Sequence, residues 1–570
     1  MNLPPLRRLT ALFGAFVVCL AAVLARLTIL QVQQASALRT RAIDQRIEHV
    51  TLPAQRGQIL DRNREPLVLS VPARDVYADP RYVRDPRTTA KRLATVLGTD
   101  RRTLADALRS DTTFAYLARG VGVAAADRIQ AMHLPGIGFL PVSARAYPAG
   151  ALASQVLGFV GVDGTGLSGL EYEYQSLLAG RPGERTQEVD PGGQPIAGGI
   201  DVDRPSVPGS SIVTTIDRPF QYEVEQALAE AVALNRAVGG TVIVMRPDGS
   251  IPAIASVPSF DPRRFSGFAP GTYRARAITD AFEPGSTGKT ITAAAALNAH
   301  VIGPSDRLPV PDQVPIGPFR IQDAEPHPFE RLTLGDVLAV SSNVGIARTA
   351  ERLGPTRLGT YMSRFGLGRD PGMGFPGESS GVMPPPAQWT KTSMITASYG
   401  AGLAATLLQM VSVYATIAND GRRAEPSLVG GTIDPTGTFH PVAAAPPERV
   451  VSADTAAMVT RMLAYAVEAG TGTKARIPGY QVAGKTGTAR IPNRNGPGYQ
   501  AGRYIASFIG FLPASDPKIV IAAILDRPVT QYGGVAAAPL FREVAEAAIA
   551  RFHIQPGTPL PPPPHTLPGP

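Results

Sequence analysis

One apolar stretch near the N-terminus constrains the fold of this 570-residue chain more than any other feature. Leu9 to Ala25 carries no charge, and the apolar character resumes after Arg26 and continues to Leu30. Residues 9–30 are long enough to cross a bilayer as a helix, with Arg26 near its outer end. The stretch therefore predicts a retained transmembrane anchor, for which a cleaved signal peptide is the alternative.

The charges before this stretch predict its orientation. Arg7 and Arg8 belong to a short N-terminal tail, residues 1–8. Basic residues favour the cytoplasmic side of a membrane helix, so this tail is expected in the cytoplasm. Since no later segment is long and apolar enough to span a bilayer, nearly everything after residue 31 is expected outside the cytoplasm.

The composition excludes several classes of protein. The chain is 44% hydrophobic and 18% charged, which fits more than one folded domain and excludes a largely disordered chain. Its net charge is +9, but it has no zinc-knuckle spacing and no basic block interleaved with aromatic residues, so nucleic acid is not an expected partner. The seven histidines lack the spacing of metal ligands, so we predict neither a metal site nor a cofactor.

The rest of the chain divides into three parts by composition. Residues 31–205 mix short helical patterns with Gly and Pro turns and end in the turn-rich segment 190–211. Residues 206–555 have strand patterns at both edges of a helical block, which predicts one α+β domain. Residues 556–570 are rich in proline and are predicted to be a disordered tail.

The first candidate catalytic motif contains one of the few lysines. Only six of the 55 basic residues are lysine, and a buried lysine can lose its proton whereas arginine cannot. Ser286 and Lys289 stand three residues apart at the start of an alanine-rich helical pattern, so they share one face of the helix. An unprotonated Lys289 can take the proton of Ser286, which makes Ser286 a nucleophile. Taken alone, the pair also fits an ordinary helix start with an exposed lysine.

Two further motifs follow in order. Ser341, Ser342 and Asn343 precede another helical pattern, and Lys485-Thr486-Gly487-Thr488 follows a strand-like run. Alone, the first fits a helix N-cap at Ser341 and the second fits a tight turn. Three such motifs in this order use two of the six lysines, which favours one shared catalytic site over three separate local structures.

The first two motifs supply the groups that move protons. Ser286 is the predicted nucleophile and Lys289 the predicted base, with its pKa lowered by burial and by a second nearby cation. Ser341 is placed to pass the proton to a leaving nitrogen. Asn343 is expected to orient Lys289 and the substrate amide.

The third motif supplies groups that bind substrate. Lys485 provides a positive field, and the hydroxyls of Thr486 and Thr488 can hold a carboxylate. Gly487 lets the substrate backbone approach closely. The N–H groups of Ser286 and Thr488 are expected to form an oxyanion hole. No histidine lies beside these motifs, which disfavours a Ser-His-Asp triad.

SxxK, SxN and KTG in this order resemble the signature of penicillin-binding proteins and serine β-lactamases. The longer segments RAITDAFEPGSTGKT, SSNVGIARTA and GTGTKARIPGYQVAGKTGTA resemble the class B penicillin-binding proteins, and among them the division-specific FtsI family. RGQILDRNREPL and RAYPAGALASQVLGFVG are similar to that family's N-terminal boxes. The resemblance runs from Arg56 to Phe541.

The resemblance implies an α+β protein with a single transmembrane helix at 9–30, an elongated non-catalytic pedestal domain at 31–205 and a transpeptidase domain at 206–555. The transpeptidase domain is expected to have an antiparallel sheet flanked by helices, as in serine β-lactamases. The implied localisation is the bacterial inner membrane at the division site, with the bulk of the chain in the periplasm.

The implied reaction is the cross-linking of peptidoglycan stem peptides at the septum, through an acyl-enzyme on donors that end in D-Ala-D-Ala. The family is also inhibited by β-lactams, which would bind covalently at Ser286. The implied partners are an FtsW-type glycan polymerase and other division proteins.

The chain departs from the family pattern in its N-terminal part. Arg64 stands where the family usually has Gly, in a turn that often needs a positive φ. Gln155 stands where His is common, and Ser168 where Glu is common. All three positions lie outside the catalytic motifs, so they bear on partner contacts or activation rather than on acylation.

Four other functions fit parts of the pattern. An elongation-type transpeptidase would use the same chemistry, but usually has an acidic residue where this chain has Asn343. A serine β-lactamase needs a deacylating base and neither a pedestal nor an anchor. A β-lactam sensor needs a cytoplasmic signalling domain. A catalytically silent division scaffold would not need Ser286 and Lys289.

Overall fold

One long apolar helix, Pro5–Thr28, begins the computed structural model of the chain, which describes residues 5–44, 46–190, 194–317, 319–493 and 496–565. A π-helical turn, Ile29–Gln33, and the helix Ala35–Asp44 follow it. The helical stretch Leu6–Gln33 has a mean hydropathy of 2.3 and is exposed along its length, and no other helix in the described ranges is long and apolar enough to cross a membrane. A single N-terminal apolar helix of this kind fits a single-pass anchor.

This helix belongs to the first of two compact units, Met1–Gln55 with Gly180–Pro208. The unit contains a three-stranded antiparallel sheet in the order Ile47–Leu52, Gly183–Glu188, Asp201–Arg204. Ile47 is paired with Glu188, and Glu184 with Arg204. The outer strand is exposed at all four residues.

The second unit, Arg56–Ala179 with Gly209–Pro570, contains the remaining elements. Its helices are Pro86–Leu97, Arg101–Ala107, Val123–Gln130, Ser154–Leu157, Gly169–Glu173, Gln175–Leu178, Arg218–Leu234, Arg276–Thr279, Lys289–Asn298, Leu334–Ala339, Asn343–Leu353, Pro355–Arg364, Lys391–Ser398, Leu407–Ala418, Ala453–Glu468 and Gly533–Phe552. Its strands are Ile59–Leu60, Pro66–Ala78, Ala115–Gly122, Ile137–Ala146, Ser211–Thr214, Gly239–Met245, Ala253–Val257, Ala281–Phe282, Leu308–Val310, Gln313–Ile316, Phe319–Gln322, Glu330–Leu332, Ala405–Thr406, Arg422–Arg423, Val429–Ile433, Phe439–Pro441, Glu448–Arg449, Ala483–Pro492, Tyr499–Leu512 and Ile519–Asp526.

A five-stranded antiparallel sheet forms the centre of the second unit. Its strand order is Ala253–Val257, Gly239–Met245, Ile519–Asp526, Tyr499–Leu512, Ala483–Pro492. Side chains alternate between two hydrophobic cores, so that Val242 and Val244 face one core and Ile243 and Met245 face the other. Because both faces are covered by helices, the strands read as continuous apolar runs. The antiparallel sheet flanked by helices confirms the predicted architecture.

A second sheet joins residues 56–179 to the C-terminal part. Ile59–Leu60 pairs in parallel with Ser211–Thr214 and antiparallel with Pro66–Ala78. Residues 56–179 therefore group with 209–570, whereas the sequence predicted one domain over 31–205. Composition did not indicate this division because strand pairing joins residues about 150 positions apart, and local patterns carry no such information.

A buried ion pair network holds the N-terminal boxes together. Glu171 is fully buried, and its carboxylate accepts hydrogen bonds from Arg56 Nε at 2.6 Å and Arg145 Nη2 at 2.7 Å. Arg145 also donates to the hydroxyl of Ser70 at 2.9 Å. Removing one member of such a network leaves an uncompensated buried charge, which typically costs about 3–5 kcal/mol.

The three N-terminal departures from the family pattern have separate local environments. Arg64 has φ of +66°, so the turn needs the left-handed conformation without glycine, and the Arg64 guanidinium lies 5.0 Å from the ring centre of Phe439. The buried amide of Gln155 donates to the carbonyl of Pro258 at 3.0 Å. Ser168 directly precedes the helix Gly169–Glu173.

The C-terminal tail lies against the second unit as far as residue 565. Leu560 and the side chain of Gln481 exchange two hydrogen bonds, of 2.8 and 3.2 Å. The hydroxyl of Thr333 donates to the carbonyl of Pro564 at 2.9 Å, and His565 stacks on Tyr465. Side chains distant in sequence thus bond backbone groups of the tail, a feature that its proline-rich composition does not indicate. Residues 566–570 lie outside the described residues.

Deleting residues 558–570 should lower the thermal stability of the second unit. The deletion removes these hydrogen bonds, worth about 0.5–1.5 kcal/mol each, so we expect a loss of about 1–3 kcal/mol. Thermal unfolding of the full chain and the truncated chain measures it. Gln481→Ala is the matched control, because it should cost less in the truncated chain than in the full chain. An unchanged midpoint after truncation would show that the tail does not stabilise the fold.

Candidate active site

The predicted nucleophile, Ser286, lies in a 3-10 turn, Gly285–Gly288, that leads into the helix Lys289–Asn298. Gly285 has φ of +56°, and its N–H donates to the carbonyl of Gly400 at 3.0 Å. The hydroxyl of Thr287 closes the turn by donating to Pro284 O at 2.7 Å. Ser286 is partly exposed while its neighbours are buried, so its hydroxyl is reachable from solvent.

The turn that contains Ser286 is hydrogen-bonded to a buried helix, Leu407–Ala418. Every residue of the helix is buried, including Tyr414. The Tyr414 hydroxyl donates to the carbonyl of Thr287 at 3.0 Å and lies 2.9 Å from the hydroxyl of Thr290. The bond from Tyr414 gives a partner to the buried carbonyl of Thr287, the residue that directly follows Ser286. No sequence motif indicated Tyr414.

Lys289 is fully buried and its amine contacts the second motif. Its Nζ donates to the backbone carbonyl of Ser341 and lies 3.3 Å from the Ser341 hydroxyl. Burial lowers the pKa of Lys289 to about 7, although the negative charge of Asp323 opposes the shift. A neutral amine is therefore available near neutral pH, as general base chemistry requires.

The second motif forms a turn between the helices Leu334–Ala339 and Asn343–Leu353. Ser341 has φ of +63° in this turn, and Ser342 caps the second helix by accepting from Gly345 N at 2.8 Å. The side-chain amide of Asn343 donates to the carbonyl of Gln322 at 2.9 Å. This differs from the expected contact with Lys289, because the helix start directs Asn343 toward the neighbouring strand.

The third motif lies in the edge strand Ala483–Pro492 of the central sheet. Lys485 is fully buried, and its Nζ lies 3.3 Å from the hydroxyl of Thr486. Burial lowers the pKa of Lys485 strongly, and the positive charge of Lys289 lowers it further. The sequence predicted that a second cation would lower the pKa of Lys289; this effect is found at Lys485 instead. Thr488 donates from its hydroxyl to Gln531 O at 3.2 Å.

Two glycines bring the first and third motifs together. A Cβ atom at Gly285 would lie 2.8 Å from the carbonyl oxygen of Thr488. A Cβ atom at Gly487 would lie 2.3 Å from the Ser507 hydroxyl oxygen and 2.9 Å from the Thr287 methyl carbon. Gly487 therefore admits the segment that carries Ser286, and its role in admitting substrate stays a prediction. The backbones of Ser286 and Thr488 consequently lie close together.

The structure adds a carboxylate that the sequence did not indicate. Asp323 accepts hydrogen bonds from the start of the second-motif helix and acts electrostatically on Lys289. It follows a short strand and belongs to no recognised motif, so only the fold brings it to the site. In the parts of the chain that the structure describes, no group of three or more His, Cys, Asp or Glu residues is arranged to hold a metal ion.

Two parts of the chain match known protein families. Residues 239–546 match the penicillin binding protein transpeptidase domain, and residues 51–214 match the penicillin-binding protein dimerisation domain. The chain belongs to the penicillin-binding transpeptidase family. The two matches together make it a class B penicillin-binding protein, as the motifs predicted.

Similar proteins cover nearly the whole chain. Penicillin-binding protein PbpB of Mycolicibacterium smegmatis is 35% identical over 95% of this chain and 90% of the relative. Peptidoglycan D,D-transpeptidase FtsI of Escherichia coli is 34% identical over 96% of this chain and 92% of the relative. The crystal structure of penicillin-binding protein 3 of Mycobacterium tuberculosis with aztreonam has a TM-score of 0.72 and 31% identity, and covers 90% of this chain and 100% of that one.

Gly487→Ala should slow acylation of this class B penicillin-binding protein. The new methyl group would force the edge strand away from the turn that carries Ser286, and a displacement of about 1 Å can cost about 100-fold in rate. The measurement is the rate of covalent labelling by a fluorescent penicillin.

The control for this substitution is the double variant Gly487→Ala with Thr287→Ser. Serine lacks the methyl carbon that the new Cβ would meet but keeps the hydroxyl that bonds Pro284, so part of the rate should return. A normal rate in Gly487→Ala alone would contradict the packing argument.

Proposed function

We propose that this chain is a septal peptidoglycan D,D-transpeptidase that works through an acyl-enzyme at Ser286. The observation that carries the proposal is the contact between the buried amine of Lys289 and Ser341, beside a turn that two glycines seat on the strand of Lys485. A serine, a neutral lysine and a bridging hydroxyl are the parts that acyl transfer requires. The relatives named FtsI and PbpB support the same reaction.

In the acylation step, Ser286 Oγ attacks the carbonyl carbon of the penultimate D-Ala of a donor stem. Lys289 takes the serine proton, and Ser341 relays it to the nitrogen of the terminal D-Ala as the C–N bond breaks, which leaves Lys289 neutral. In the second step the amine of a neighbouring stem attacks the ester and gives its proton to Lys289, which passes it to Ser286 Oγ as the ester C–O bond breaks. The roles are those expected for an activated serine with a lysine base.

Substrate binding is assigned to the third motif. Lys485, Thr486 and Thr488 would hold the terminal carboxylate of the donor through charge-assisted hydrogen bonds. The N–H groups of Ser286 and Thr488 would stabilise the oxyanion, and the close packing of Gly285 on Thr488 supports this pairing. Asn343 is assigned to the substrate amide. β-Lactams would acylate the same serine.

The remaining parts of the proposal concern location and partners. We assign residues 1–8 to the cytoplasm, 9–30 to the inner membrane and the bulk of the chain to the periplasm, with 31–205 as the pedestal domain and 206–555 as the transpeptidase domain. The two family matches describe transpeptidase and dimerisation domains, so glycan polymerisation is assigned to an FtsW-type partner acting with other division proteins.

Residues 31–570 should form a stable covalent adduct with a fluorescent penicillin. We expect Ser286→Ala to abolish labelling and Lys289→Arg to reduce it at least about 100-fold, because arginine keeps its proton. Gel fluorescence after denaturation measures the adduct. Lys391→Arg, on the exposed side of another helix, is the matched control and should label normally. Absence of labelling in folded wild type would remove the assignment.

Depletion of the protein in cells should block septation and give filaments. Rounded cells would favour an elongation-type role instead, because the site of insertion would differ. Complementation with Ser286→Ala separates catalysis from scaffolding: the proposal expects no rescue. Rescue by that variant would support the catalytically silent scaffold.

A further inference from the structure

Asp323 lies outside the three motifs but is bound to residues of the second one. It follows the strand Phe319–Gln322, and its side chain is only 10% exposed. Its Oδ1 accepts the backbone N–H groups of Asn343 and Val344, and its Oδ2 accepts the hydroxyl of Ser342 at 2.6 Å. One carboxylate therefore receives three donors at the start of a helix.

These bonds fix where that helix begins. The first N–H groups of a helix have no partner within the helix, and the positive end of the helix dipole favours a carboxylate there. The Asp323 carboxylate accepts the N–H groups of Asn343 and Val344, and the Ser342 hydroxyl accepts the N–H of Gly345. The Asn343 amide adds a bond to Gln322 O. The helix start is thus attached to the strand before Asp323 by several bonds at once.

Ser341 directly precedes this anchored start. It has φ of +63°, a left-handed conformation that is unfavourable for a residue other than glycine, so the neighbouring residues must hold it there. Ser341 is also the residue that Lys289 Nζ contacts through both its carbonyl and its hydroxyl. The position of the proton-transferring pair consequently depends on bonds that end at Asp323.

Asp323 also sets the charge around Lys289. It is the negative group that opposes the effect of burial on Lys289, while Lys485 faces Lys289 with the same sign. On its other side Asp323 faces His327, whose Nε2 lies 3.2 Å from Oδ2, and Glu330 lies 3.8 Å from the other ring nitrogen of His327. The carboxylate of Asp312 also lies in this segment, where it accepts the backbone N–H of His327 at 3.3 Å.

His327 is placed to carry a positive charge. Its Nδ1 faces the carbonyl of Pro328 at 2.7 Å and its Nε2 faces Asp323, so only the doubly protonated ring can donate to both acceptors. Burial lowers the pKa of His327, but the bond to Pro328 and the charges of Asp323 and Glu330 outweigh it and raise the pKa overall. The ring partly balances the carboxylate of Asp323.

We propose that Asp323 is a positioning residue for acylation, which holds Ser341 against Lys289 and, together with His327, sets the field at the lysine amine. This inference rests on the proposed function of Ser286 and Lys289. Asp323 touches neither substrate nor reacting atoms; it acts through the two residues that move the proton.

The test is the pH dependence of penicillin labelling in wild type, Asp323→Asn and His327→Gln. Labelling of wild type should rise with pH through a midpoint near 7, because the neutral form of Lys289 is the base. Asp323→Asn keeps the size and one acceptor oxygen, which can still accept the N–H groups of Asn343 and Val344, but removes the negative charge, so the pKa of Lys289 falls. We expect its midpoint to move to lower pH, on the order of one unit, with a plateau rate lower by about 10-fold.

His327→Gln should move the midpoint in the opposite direction. It removes a positive charge beside Asp323, so protonated Lys289 is favoured and the midpoint rises. Asp312→Asn is the matched control: its carboxylate accepts the backbone N–H of His327 at 3.3 Å, so the substitution removes a negative charge from the same segment while the bonds of Asp323 to Ser342, Asn343 and Val344 stay in place. Its midpoint and plateau should equal those of wild type.

A folded Asp323→Asn protein with the wild-type midpoint would overturn the proposal and leave Asp323 as a helix cap only. If that variant does not fold, His327→Gln decides, and an unchanged midpoint would overturn it. Wild type that never labels at any pH would instead remove the proposed function itself.

Discussion

The buried amine of Lys289 is the constraint on which the rest of the active site depends. Holding its pKa near 7 instead of 10.5 corresponds to a cost on the order of 5 kcal/mol for the charged form. The charged form of Lys289 is disfavoured only while the amine stays buried. The turn of Ser341 contacts the amine directly, and the hydrogen bonds that end at Asp323 hold that turn independently of the lysine.

The two buried lysines of the site, Lys289 and Lys485, have different proposed roles, one as base and one in binding the donor carboxylate. Their mutual repulsion and shared burial disfavour protonation of both at once. A donor carboxylate bound beside Lys485 would add a negative charge there and favour the ammonium form of that residue. In the proposed reaction Lys289, which already contacts the Ser341 hydroxyl, then remains the amine that accepts the serine proton. Substrate binding and base activation are therefore coupled electrostatically in that proposed reaction.

The sequence predicted the parts of the structure that local patterns determine. The three motifs lie together as expected, and apolar runs such as GGTVIVM became the central strands, because burial on both faces leaves a continuous hydrophobic signal. Asp323, Tyr414 and the partners of the proline-rich tail were not predicted. Each acts through a hydrogen bond to a residue far away in sequence, and neither composition nor spacing records such a partner. The positive φ at Arg64 was anticipated, because the turn chemistry there is local.

The N-terminal part of the second unit is bonded to the transpeptidase domain rather than simply placed before it. Asp61 accepts the N–H of Arg218, the first residue of a helix that packs on the central sheet, and Glu225 on the same helix accepts the N–H of Ala153 at 2.7 Å. Gln155, one of the departures from the family pattern, bonds to Pro258 just after a strand of that sheet. A change in the N-terminal part would therefore reach the sheet through defined hydrogen bonds. The replacement of His by Gln at 155 keeps a donor at this junction but removes a group that titrates near neutral pH, so this contact should not respond to pH.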